Sequence, residues 1–365
     1  MDDDVERALR GLLAALDGDE ADGANGTNGT NGDADASGDG DGPTDRRRLS
    51  RVDAYHRLNE VEKRADDALW PDRLHGTGSV RKLRLVGPPP ANEAARSPQA
   101  EGNEVVVPAY LFTPAGAGDE ERPGLVLPHG GVHSNCSTRY AVVVRELLDQ
   151  GYRVVAPEYR GSTGYGREHY ELVDYGGREV ADTHAARDWL VAHEPVDPDR
   201  VGVLGWSHGG LHTLLNAVEY PDSYAAAYAS VPVSDLVARM GYKDDAYRGL
   251  YEADYHVGES AAEDPDEYRR RSPAWRVADL EVPLRVHGTT NDEDVNVLEV
   301  ERLVEALRAN DRAFESRIRE DAPGGHIFEL LDTAVAEESR REAYDFLAER
   351  LDPPAPPEGV ERVVD

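Results

Sequence analysis

From residue 124 onward the sequence alternates between short apolar runs and amphipathic stretches of ten or more residues. This rhythm narrows the choice of fold more than any other feature. Apolar runs fall at residues 124–127, 153–157, 200–204, 225–231, 282–287 and 314–318, and helical spacing marks 139–149, 178–193, 208–219, 296–309 and 333–350. Strands joined through helices that long need crossover connections. The pattern therefore predicts an α/β protein with a mostly parallel, doubly wound sheet and helices on both faces. A helical stretch near 46–68 and two further strand-like runs, 80–85 and 104–112, come before it. Segment 235–278 breaks the rhythm and is rich in Tyr, Glu and Arg. It is predicted to form a cap-like insertion over the C-terminal ends of the strands, where ligands bind in such sheets.

The remaining boundaries follow from composition. Residues 1–17 carry Val5, Leu9, Leu12, Leu13 and Leu16 at helical spacing and predict a short helix. Residues 18–45 are almost entirely Gly, Asp, Asn, Ala and Thr, a composition that buries no core and predicts a disordered acidic linker. Residues 46–100 form a helical and strand extension, 101–352 the α/β domain, and 353–365 a C-terminal tail.

Charge excludes several partners. The chain has 72 Asp+Glu against 40 Lys+Arg, a formal net charge of −32, and only three lysines, Lys63, Lys82 and Lys243. Such an excess repels nucleic acid and anionic lipid. The acid is spread along the chain, and an acid-rich, lysine-poor, arginine-retaining composition resembles that of cytosolic proteins from salt-accumulating halophiles. No apolar run approaches the ~20 residues of a membrane span. The opening MDDDVERALR lacks the basic, then apolar, pattern of a secretory signal, so a cytoplasmic location is expected. The single cysteine, Cys136, forms no internal disulfide and reads as a small buried residue.

Chemistry enters at RVGVLGWSHGG, residues 200–210, a strand running directly into G-x-S-x-G and then into a helix. That context stands a serine on a sharp turn, with flanking glycines letting strand and helix approach closely. Ser207 is the predicted nucleophile. Such a serine needs a base and the base an orienting acid, which follow in the order Ser, Asp or Glu, His in α/β hydrolases. Downstream, VPLRVHGTTNDEDV (282–295) ends a predicted strand in a carboxylate-rich loop, and APGGHIF (322–328) places His326 after the next strand. The loop at 127–131, LPHGG, follows a third strand and supplies the second half of an oxyanion hole. The Gly131 and His208 backbone amides are the expected donors.

GWSHGG, HGG, EYRGSTGYG (158–166), DYGGREVADTHAARDWL (174–190), Arg271-Ser272-Pro273 and the HG…D…V loop together resemble the catalytic domain of the prolyl oligopeptidase family of serine peptidases over roughly residues 100–350. The resemblance implies an α/β-hydrolase fold, a Ser207–His326–Asp triad and an acyl-enzyme route. Three departures stand out. His208 follows the nucleophile where many members have Tyr. The acid loop is one residue longer than the common HGxxDxxV, so counting back from Val295 selects Asp292, with Asp294 as the second choice. The roughly 100 residues ahead of the domain are too few for the N-terminal β-propeller of many members, so none is expected.

His208 and His212 stand four apart on a predicted helix, and His129 and His133 four apart in a loop. No nearby acid completes a metal set in the sequence, so neither a metal nor a cofactor is expected. GSTGYG at 161–166 departs from the G-x-G-x-x-G dinucleotide fingerprint and reads as a tight loop beside the active site. The implied activity is a peptidase acting on short peptides or aminoacyl amides. The alternatives are a carboxylesterase on small acyl esters and a non-catalytic binding module that keeps the fold.

Overall fold

The computed structural model describes residues 50–90 and 103–357. The predicted helix 1–17, the linker 18–45 and the end of the C-terminal tail lie outside the described residues. Helix α1 (Arg51–Asp67) opens on a Ser50 cap that accepts the Asp53 amide. Strands β1 (Gly78–Gly87) and β2 (Val105–Pro114) form a long antiparallel pair in register from Gly78 opposite Pro114 to Gly87 opposite Val105. The alternating units then follow: β3 (Arg122–Val126), α2 (Ala141–Gln150), β4 (Arg153–Pro157), α3 (Arg178–His193), β5 (Val196–Trp206), α4 (His208–Glu219) and β6 (Ala226–Ser230). After the predicted insertion come β7 (Leu284–Thr289), α8 (Val297–Ala309), β8 (Phe314–Arg319) and α9 (Ala334–Leu351).

The described residues form one eight-stranded sheet in the order β1-β2-β4-β3-β5-β6-β7-β8. Only the β1–β2 and β2–β4 pairs are antiparallel, and the other five are parallel. This is the α/β-hydrolase arrangement, with helices on both faces. Every residue of β4 and β6 is buried, as parallel strands covered on both sides require. Successive side chains divide the core. Leu125, Val154, Leu204 and Tyr228 pack with Val143, Leu147, Phe346 and Leu347 of α2 and α9. Their neighbours Val126, Val155, Val203 and Ala227 pack with Leu190, Leu214 and Leu303 of α3, α4 and α8. A one-residue slip in any strand would exchange the two faces.

Segment 235–278 forms three short helices between β6 and β7: α5 (Leu236–Tyr242), α6 (Asp245–Tyr251) and α7 (Pro265–Arg270). Each begins at an aspartate (Asp235, Asp244 or Asp264) whose side chain accepts an amide of the first turn. The helices seat Leu236, Met240, Tyr251 and Tyr268 against Leu211 and Leu215 of α4.

The N-terminal extension is bound into the domain. Lys63 of α1 is buried, 2.7 Å from Glu158 and 2.6 Å from the Cys136 carbonyl, which accepts its hydrogen bond. Trp70 is fully buried against Phe112, at 4.9 Å between ring centres. Burying a large apolar side chain contributes roughly 1.5–3 kcal/mol. Cys136 is fully buried, and burial pushes its thiol well above the ordinary range, so it stays protonated and unreactive. Among the described residues no helix is long and apolar enough to cross a membrane.

Candidate active site

Ser207 occupies the turn between β5 and α4 with φ 59° and ψ −118°, a conformation that costs a non-glycine residue on the order of 1–3 kcal/mol. The glycines around it answer to packing. A Cβ on Gly205 would lie 2.3 Å from the Gly209 carbonyl oxygen, and one on Gly209 would lie 2.2 Å from that of Pro128. Strand, helix and the 127–131 loop therefore meet with no room for a methyl group. The Ser207 amide donates to the Ser230 carbonyl at 3.0 Å, and its carbonyl accepts the Leu211 amide at 3.1 Å. The turn is thus held by β6 as well as by its own helix.

His326 lies at the start of a 3-10 turn, Gly325–Leu330, that follows β8. Gly324 and Gly325 both have positive φ, and a Cβ on Gly325 would come within 3.0 Å of the Asn291 carbonyl. The paired glycines let the histidine loop lie directly on the acid loop. There His326 Nδ1 is 2.7 Å from Asp292 Oδ2. The other oxygen, Oδ1, accepts the amides of Asp294 at 2.9 Å and Val295 at 2.8 Å. With its Nδ1–H given to Asp292, the imidazole keeps Nε2 as its basic nitrogen. Asn291 turns away, donating to the Ala322 carbonyl at 3.0 Å. Asp294 lines the cavity rather than facing Nδ1.

Ser207, His326, Gly131 and His208 line one cavity of about 310 Å³, joined by Tyr175, Arg239, Tyr247 and Asp294. Arg239 and Tyr247 come from the 235–278 segment, which therefore contributes wall to the site. His208 begins α4, where backbone N–H groups lack intrahelical partners. The Gly130 amide is committed to the Tyr140 hydroxyl at 2.7 Å. Tyr159 donates to the carbonyls of His129 at 2.9 Å and Gly131 at 3.2 Å, and His129 Nε2 lies 2.8 Å from the Ser162 hydroxyl. Tyr159 and Ser162 thus hold the 127–133 loop in place. Burial keeps His129 neutral, well below the usual histidine range.

The structure separates His129 from His133, whose ring stacks on Tyr170 and whose Nε2 lies 3.0 Å from that of His256. It corrects the sequence reading at His208 and His212. An acid does join them: Glu179 of α3 places Oε1 2.9 Å from His208 Nε2 and 3.4 Å from His212 Nε2, and all three residues are buried. The sequence missed Glu179 because it lies 29 residues upstream, on a different helix.

A second buried carboxylate escaped sequence reading. Glu329, three residues after His326, accepts Trp206 Nε1–H at 2.7 Å, the Tyr228 hydroxyl at 2.6 Å and the Ser339 hydroxyl at 2.5 Å. Arg285 Nε donates to His287 Nε2 at 2.8 Å, and His287 Nδ1 lies 2.9 Å from Glu329 Oε1. One carboxylate thereby ties the residue before Ser207 to the turn carrying His326. Burial alone would raise its carboxyl, but the hydrogen bond and the charge of His287, with the hydrogen bonds from Ser339 and Tyr228, outweigh that and hold it down to about 2. A carboxyl depressed from the unfolded value of about 4.3 contributes stability that is complete above that value and lost as pH falls toward the folded one. Glu329→Gln does not titrate there. It should be the less stable protein at neutral pH, and the gap should narrow by about 1 kcal/mol between about pH 6 and about pH 3.5. Urea unfolding of both proteins at the two pH values checks this, and a gap independent of pH would contradict an ionised Glu329.

A model of the prolyl oligopeptidase family matches residues 139–353. The acylamino-acid-releasing enzyme of Mus musculus is 32% identical over 165 residues, which are 44% of this chain and 22% of that enzyme. A puromycin-hydrolysing peptidase of Mycobacterium tuberculosis superposes with a TM-score of 0.62 at 26% identity, covering 78% of this chain and 41% of that one. The Pyrococcus horikoshii acylaminoacyl peptidase superposes with a TM-score of 0.64 at 18% identity, over 78% of this chain and 43% of that one, a likeness of fold. In each case the match spans less than half of the relative's length.

Proposed function

The chain belongs to the prolyl oligopeptidase family, and from that membership we propose that it is a serine peptidase cleaving short peptides or aminoacyl amides through an acyl-enzyme. The observation that carries this reading is the 2.7 Å contact between His326 Nδ1 and Asp292, made beside a cavity shared by His326 and the strained Ser207. Ser207 Oγ attacks the scissile carbonyl while His326 Nε2 takes its proton. Asp292 keeps the imidazole in the right tautomer and stabilises the imidazolium that forms. The amides of Gly131 and His208 receive the oxyanion, aided by the positive end of the α4 dipole. His326 then protonates the departing amine, and water attacks the acyl-enzyme with His326 again as base.

Two substrates sharing one acyl group, one an ester and one an anilide, test the reading by kcat/KM. Ester turnover says little, because an activated alcohol leaves with little help. An amine departs only when His326 supplies its proton, so amides discriminate. Cleavage of amides in a panel that includes puromycin is the expected result. If matched esters turn over and no amide is cut, the protein is a carboxylesterase.

The charge of −32 supports a further element of the proposal, that the protein works in concentrated salt. At molar ionic strength the Debye length falls to about 3 Å and self-repulsion in the compact state is largely screened. The melting temperature should therefore rise steeply between about 0.1 M and about 3 M KCl. A flat or falling midpoint would sink the salt-adapted reading.

A further inference from the structure

We propose that Glu179, His208 and His212 form a binding site for one borderline divalent transition-metal ion such as Zn²⁺, placed behind the turn that carries Ser207. The three side chains are buried, with relative exposures of 0%, 2% and 0%. Their candidate donor atoms lie within 4.8 Å of one another. The separations of 2.9 Å and 3.4 Å from Glu179 Oε1 to the two Nε2 atoms bracket the roughly 3.3 Å between ligands of a tetrahedral zinc with bonds near 2.0–2.1 Å.

The polar accounting is what separates this cluster from an ordinary buried ion pair. Despite those short distances, neither Nε2 makes a hydrogen bond, and Glu179 Oε2 and His208 Nδ1 have no hydrogen-bond partner either. Buried polar atoms left unpaired cost on the order of 1–3 kcal/mol each, so native structures rarely keep several together. Both Nε2 atoms converge on the single oxygen Oε1, as donor atoms do when they share a central ion. The surroundings fit as well. Thr183 Oγ1 lies 2.8 Å from His212 Nδ1 and the Gly176 amide donates to Glu179 Oε1 at 2.8 Å, the outer contacts that fix a ligand ring and a ligand carboxylate. Two imidazoles and one carboxylate suit zinc, with a fourth position left for water. His208 and Tyr175 also line the 310 Å³ cavity, which gives the ion a path in.

The test uses the full chain, freed of metal with a chelator, dialysed into KCl and titrated with Zn²⁺ and, separately, Co²⁺. Expected are one ion per chain, a raised melting temperature and the intense visible bands of four-coordinate Co²⁺. Glu179→Gln keeps the outline of the side chain and loses the anionic donor. His212→Asn keeps a polar atom for Thr183 and deletes Nε2. Each variant should bind Zn²⁺ at least about tenfold more weakly. Wild-type protein that binds no more tightly than both variants would overturn the proposal. Should either variant fail to fold without metal, the wild-type Co²⁺ titration decides, and no four-coordinate spectrum means no site.

Discussion

Replacing Ser207 with alanine should lower kcat by about 10³- to 10⁶-fold while leaving the protein folded, and His326→Ala should fall in the same range. In the proposed triad nucleophile and base act as one unit, so removing either would leave only binding and oxyanion stabilisation. The geometry adds a control that an ordinary active-site substitution lacks. Ser207 has φ 59°, and alanine, which also carries a Cβ, inherits that strain. Glycine does not. Ser207→Gly should be as inactive as Ser207→Ala but relieve strain worth on the order of 1 kcal/mol, offset in part by the greater freedom of glycine in the unfolded chain. Labelling by a fluorophosphonate, kcat on the best substrate and thermal melts of the three proteins are the measurements. If Ser207→Ala kept more than a tenth of wild-type turnover or still took the label, the nucleophile would lie elsewhere.

Local signals were legible in the sequence and non-local ones were not. The strand–turn–helix at Ser207 could be read because each of its causes lies within ten residues: the apolar run, the glycines that let β5 and α4 touch, and the helix that follows. The parallel sheet was legible for a similar reason, since β4 and β6 are buried on both faces and, past Arg153 and up to Ser230, read as short apolar runs. Several strands prove longer than predicted, β5 most of all, because Val196 pairs with Arg122 at a register shift that no periodicity marks. What escaped was polar and distant in sequence. Glu158 receives Lys63 from 95 residues away, Glu179 meets two histidines of another helix, and Glu329 gathers Trp206, Tyr228 and His287 from three strands. An acid inside an apolar run, as in IFELL at 327–331, is the one sequence sign that such a hub exists.

Asp292→Asn should cost about 10²- to 10⁴-fold in kcat with little loss of stability, and Asp294→Asn should cost far less. The inserted residue in HGTTNDEDV leaves two aspartates eligible by spacing, and the hydrogen bonds distinguish them. Asp292 Oδ1 accepts two amides of its own loop, which fixes the carboxylate plane and delivers Oδ2 to His326 Nδ1 at 2.7 Å. An asparagine keeps the first function, since its carbonyl oxygen accepts the same amides, so the loop should hold its shape. Its NH₂ then faces Nδ1, and two donors conflict unless the imidazole moves its proton to Nε2. That tautomer has no lone pair to offer Ser207, and a neutral amide does nothing for the imidazolium. The loss therefore belongs in kcat. Asp294 lines the cavity, so neutralising it should register in KM for charged substrates more than in kcat. Steady-state kinetics of both variants, with thermal melts alongside, decide the matter. A larger kcat loss in Asp294→Asn, or small and equal losses in both, would mean that the 2.7 Å contact does not orient the base.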